Sequence, residues 1–118
     1  MIKIILIHND LKLIGSLQSK LAPQYEILAT DNYKTALRLI KKVPVRSLMA
    51  QIPEGKSSRE HRDLKKLLKK LNHKKYSGIT KILIASERGD DYRIEDFLKL
   101  GIAAVVVDVE GVEKWVTK

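Results

Sequence analysis

Few side chains in this 118-residue chain could carry out chemistry, and most of them fall where an apolar run stops. His8, Asn9 and Asp10 follow Ile4 to Ile7, and Met49 and Ala50 lie near the end of Val45 to Ile52. Ser86 and Glu87 follow Ile82 to Ala85, and Asp108 and Val109 follow Ala103 to Val107. Ser86, His8 and Asp108 supply a hydroxyl, an imidazole and a carboxylate, the residue types of a hydrolase triad. No nucleophile-elbow sequence surrounds Ser86 and no oxyanion-hole glycines are visible, so nucleophilic catalysis is not expected. His61 and His73 are twelve residues apart with no carboxylate pattern around them, which fits solvated surface better than metal ligation. The chain has no Cys, which excludes a disulfide framework, a zinc-thiolate site and thiol catalysis and makes a reducing cytoplasm the default setting. No catalytic residue, metal or cofactor is therefore expected.

The elements that position these residues are legible from periodicity. Ile2 to Ile7, Tyr25 to Ala29, Val45 to Ile52, Lys81 to Ala85 and Ala103 to Val107 are short runs rich in apolar residues, as in strands buried on both faces. Between them, Leu13, Ile14, Leu17 and Leu21 recur at helical spacing after Asp10, an N-cap type, and Pro23 stops that helix. Tyr33, Ala36, Leu37 and Ile40 mark a second helix, and Leu64, Leu67, Leu68 and Leu71 a third that runs on to Ser77-Gly78. A fourth helix, capped by Asp90 or Asp91, carries Ile94, Phe97 and Leu98 and ends at Gly101; a fifth starts around Val112, Trp115 and Val116. Strand and helix alternate five times, so the strands are parallel with right-handed crossovers and the fold is a three-layer α/β/α sandwich. In such sheets chemistry belongs to the carboxyl ends of the strands.

The length suits one domain, residues 1–118, and no apolar run approaches the roughly 20 residues needed to span a bilayer. The 23 Lys and Arg exceed the 14 Asp and Glu by nine. Lys56 to Lys75 holds nine bases and two acids, so most of the excess sits in one segment. On a helix Lys65, Lys66, Lys69 and Lys70 lie opposite the leucines. Together with Arg62 and Lys74 they form a candidate basic docking face. It would suit an acidic protein, or nucleic acid through phosphate neutralisation. Only Tyr76 closely follows these lysines and no helix-turn-helix is present, so nucleic acid is the alternative partner and not the favoured one.

Three stretches carry a resemblance: Ile82 to Asp91, Phe97 to Ala104, and Leu48-Met49-Ala50-Gln51-Ile52-Pro53. Nearly the whole chain resembles a response-regulator receiver domain of the chemotaxis-regulator kind, the flavodoxin-like module of bacterial two-component signalling. The resemblance implies a five-stranded parallel sheet of order 2-1-3-4-5 and five functional positions. The acidic pair that holds Mg²⁺ is replaced by His8 and Asn9, and the phosphoacceptor aspartate, four residues before the loop proline, by Met49. Ser86 matches the hydroxyl that binds the phosphoryl group, Asp108 replaces the lysine, and Val105 takes the place of the aromatic switch residue.

Mg²⁺ favours hard oxygen ligands, and phosphoryl transfer needs cations near the developing charge, so this set resembles a pseudo-receiver that is not phosphorylated. His8 and Asp108 would exchange cation for anion and could pair across the strand ends; otherwise both are solvated loop residues. The implied function is non-enzymatic, cytoplasmic signal transduction through a protein partner, which the basic helix suggests is acidic, or through a homodimer. The family's signalling face corresponds here to Tyr92, Arg93, Asp96, Lys99, Val105 and Trp115.

Overall fold

Five strands, β1 (Ile2–Ile7), β2 (Tyr25–Thr30), β3 (Ser47–Gln51), β4 (Thr80–Ile84) and β5 (Ala104–Val106), form one sheet. They alternate with α1 (Leu11–Leu21), α2 (Tyr33–Lys42), α3 (Ser58–Leu71), α4 (Glu95–Leu98) and α5 (Val109–Val116) in a computed structural model that describes residues 2–53, 58–85 and 95–116. The strand order is β2-β1-β3-β4-β5 with every pairing parallel, which is the flavodoxin-like arrangement. No helix among the described residues is long and apolar enough to cross a membrane.

Alternation along the strands divides the interior into two layers. Ile5, Ile7, Leu48, Ala50 and Leu83 face α2, α3 and α4, where they meet Ala36, Ile40, Leu64, Leu68 and Phe97. Ile4, Leu6, Met49, Ile82, Ile84 and Val106 face α1 and α5, against Leu17, Leu21 and Val112. The four leucines of α3 are all buried. Burial of such a side chain is worth about 2 kcal/mol, so this stripe fixes the helix although six bases occupy its remaining surface.

Side-chain caps set where helices begin at the carboxyl edge of the sheet. Asp10 accepts from the amides of Lys12 and Leu13 at 3.0 and 3.4 Å, as its position before α1 predicts. Asn32 does the same for α2, accepting from Lys34 and Thr35 at 2.8 and 3.1 Å. At the other end of the fold Gly101 follows α4 with φ +77°, a left-handed conformation suited to glycine.

Two boundaries differ from the sequence expectation. The third helix begins at Ser58, six residues before its first leucine, and ends at Leu71 instead of continuing to Ser77-Gly78. A separate 3₁₀ turn, Lys74–Tyr76, follows, with His73 Nδ1 accepting from the Lys75 amide at 3.2 Å. Lys74 thus lies beyond the basic helix to which it was assigned. The expected cap at Asp90 or Asp91 and the inward Ile94 lie outside the described residues; of the helix that follows, Phe97 is fully buried but Leu98 is exposed.

Candidate functional site

The carboxyl ends of β1, β3 and β4 open into a cleft of about 1280 Å³ that continues between α2 and α3. His8, Asn9 and Asp10 form one wall, Gln51, Ile52 and Pro53 another, and Tyr33 and Lys34 face Asp63, Lys66 and Lys70 across the helices. This is where a doubly wound parallel sheet places its ligands.

His8 is buried, 7% exposed, and its Nδ1 accepts from the Asp10 amide at 3.0 Å. It is therefore not the solvated loop residue of one sequence alternative. Asn9 is exposed beside it. Met49 does not reach the cleft: it is fully buried in mid-strand, paired in register with Leu6 and Ile82. The β3 side chain that lines the cleft is Gln51, one step beyond the Ile7–Ala50 pair. Counting back from Pro53 finds Met49, but strand register brings Gln51 to the edge, and neither side chain can form an acyl phosphate.

Asp108 is exposed and caps α5, its Oδ1 accepting from the Gly111 amide at 2.7 Å. Ser86, Tyr92 and Arg93 lie outside the described residues. The donor set at the first strand end does not suit magnesium: one imidazole nitrogen is held by a backbone amide, Asn9 offers a neutral amide, and the Asp10 carboxylate caps α1.

On the proposed signalling side, Lys99 and Val105 are exposed and Val105 shares the sheet face of its register partner Leu83. Trp115 is 37% exposed and borders a small hollow with Arg46, Ser47 and Thr80 at the amino edge of the sheet. Asp96 is partly exposed on that side, its side chain 32% accessible. It turns toward α3, with Oδ2 3.5 Å from Nε2 of His61. His61 is 5% exposed and its ring lies 4.6 Å from that of Phe97, so the expectation of a solvated histidine is corrected. On α3 it lies next to the buried arc of Leu64 and Leu68, a position the leucine count alone did not assign.

Arg62, Lys66, Lys69 and Lys70 are exposed as expected, and Lys65 is half-buried. Two further groups were not anticipated. Tyr33 sits at the mouth of the α2–α3 groove, where burial first, then the charges of Glu60 and Asp63, push its phenol up to about 12. Lys81, 6% exposed, donates from Nζ to Asn72 Oδ1 at 2.6 Å, and burial lowers its pKa. A lysine opening an otherwise apolar strand was the available signal for the second; nothing in the sequence pattern marks the first.

No family model and no curated protein matches this chain. Solved structures do match. A response regulator from Thermotoga maritima superposes with a TM-score of 0.74 at 10% identity, over 100% of this chain and 99% of that one. A CheY-like receiver domain from Methanospirillum hungatei JF-1 gives 0.72 at 18% identity, covering 99% and 91%. The N-terminal domain of the nisin resistance regulator NsrR gives 0.72 at 16%, covering 99% and 96%.

Proposed function

From a fold shared with receiver domains, we propose a cytoplasmic signalling domain that acts by protein–protein contact without aspartyl phosphorylation. The observation that carries this reading is the chemistry of the strand ends. His8 and Asn9 stand after β1, and Gln51 is the β3 side chain that borders the cleft. The carboxylates of Asp10 and Asp108 are engaged in capping α1 and α5. A receiver without a metal-binding acid pair or a phosphoacceptor retains its scaffold and its surfaces.

The contact surface we assign is the side of the sheet bounded by α4 and β5. Leu98 and Val105 are exposed there, 48% and 37%, next to Lys99, and large apolar side chains of this kind supply the anchors of protein interfaces. β5 is an edge strand, which also offers this side to a partner or to a second copy of the chain.

Intact-mass measurement after incubation with Mg²⁺ and acetyl phosphate tests the central claim. The expected result is an unchanged mass; a gain of one phosphoryl group would falsify it.

A further inference from the structure

The charge excess is organised by face, not by helix. α2 carries Lys34, Arg38, Lys41 and Lys42 with no acid, and α3 carries six bases and two acids, so the pair holds a net +8. α1 and α5, on the opposite face, together hold three bases and two acids, a net +1. α2 and α3 pack side by side over one core, so their outward cations share one face of the molecule, on either side of a groove.

All four bases of α2 and five of the six on α3 are exposed. The ion pairs among the described residues, Lys20–Glu113 and His61–Asp96, include none of them. The acids are confined to the groove between the helices. At about 100° per residue Glu60 and Asp63 fall on the side toward α2, where both act on Tyr33 and line the groove with Asp10 and Asp31, while Arg62, Lys66 and Lys69 occupy the outward arc. Lys34 from α2 and Lys66 and Lys70 from α3 border the same groove.

What this surface lacks identifies its occupant. The exposed large apolar residues among those described are Leu11, Leu98, Val105, Val107 and Trp115, and none lies on α2 or α3. A protein partner would find no buried anchor there. Base stacking on a single strand would find no exposed aromatic, because Tyr33 and Tyr76 are both half-buried. Rows of uncompensated lysine and arginine are, by contrast, sufficient for a phosphate backbone, which binds by releasing counterions. We propose that the α2–α3 face docks double-stranded nucleic acid through its phosphates, without sequence preference. This surface lies apart from α4 and β5, so the proposal does not depend on the protein-contact reading.

Fluorescence anisotropy with a short mixed-sequence DNA duplex provides the test. Binding at low salt is expected to weaken with a log–log salt slope of about −4 to −6, as for roughly five to six phosphate contacts. Reversing α2 (Arg38→Glu with Lys42→Glu) should lower affinity at least about tenfold, as should reversing α3 (Lys66→Glu with Lys69→Glu). The opposite-face control, Lys12→Glu with Lys114→Glu, should change it less than about twofold, with circular dichroism confirming that each variant is folded. No binding at low salt, or binding indifferent to the α2 changes, would overturn the proposal. So would tighter binding to the single strand, displacement by polyglutamate at equal charge, or retention on phosphatidylserine vesicles but not on the duplex.

Discussion

Gly101 shows how one missing side chain organises the amino end of the fold. A Cβ built there would stand 2.6 Å from Asn72 Oδ1 and 3.0 Å from Lys81 Nζ, at a backbone φ of +77°. Alanine would meet both the left-handed strain and the lysine–asparagine bond. Gly101→Ala is expected to cost about 1–3 kcal/mol in urea denaturation. The glycine was legible as a helix terminator, but its contact with a buried lysine from β4 was not, because that depends on packing between distant segments. Tyr33 makes a second prediction at this scale. Burial and the nearby carboxylates push its phenol from the ordinary 10.0 up to about 12. The stability this confers is complete below about pH 10 and is lost as pH rises toward 12, since the unfolded chain releases the proton first. An ultraviolet titration of phenolate should show one tyrosine ionising about two pH units late, and Tyr33→Phe should remove that transition and flatten the alkaline loss of stability.

Among the elements, α4 is described over four residues, Glu95–Leu98, and two groups tie it to α3. Phe97 fills the layer beneath it, and His61 meets both the Phe97 ring and the Asp96 carboxylate. His61→Ala should therefore destabilise by about 2–4 kcal/mol through the cavity left beside Phe97. Asp96→Ala should cost only about 1 kcal/mol, because its side chain is 32% exposed and solvent screens the pair. Thermal denaturation of the two variants would check the ranking. The alternation of five strands with five helices was readable because apolar runs and the 3.6-residue period report directly on burial, whereas the strand order was implied only by the family resemblance. The third helix's ends were not readable. Its start at Ser58 lies in a polar stretch without apolar spacing, and its stop at Leu71 precedes an asparagine held by Lys81, a tertiary contact.

For the whole molecule, composition gave the size of the charge excess, and the assignment of most of it to one segment was half of the arrangement. The four bases of α2 lie more than twenty residues earlier in sequence than most of those on α3, and only the 2-1-3-4-5 topology brings the two helices together. The site followed a similar course. The placing of His8 and Asn9 at the strand end was legible from where the apolar run stops, whereas the Met49 assignment depended on counting from Pro53, and the register makes Gln51 the β3 side chain that borders the cleft.

The cap on α5 ties the charge at position 108 to the stability of that helix. Asp108 accepts from the Gly111 amide at the first turn of that helix, where a lysine has no oxygen to offer. Asp108→Lys should by itself lower stability by about 1–2 kcal/mol, measurable as a fall in Tm. Position 108 thus resists a reversal of charge for a reason local to α5, whatever stands at the other strand ends.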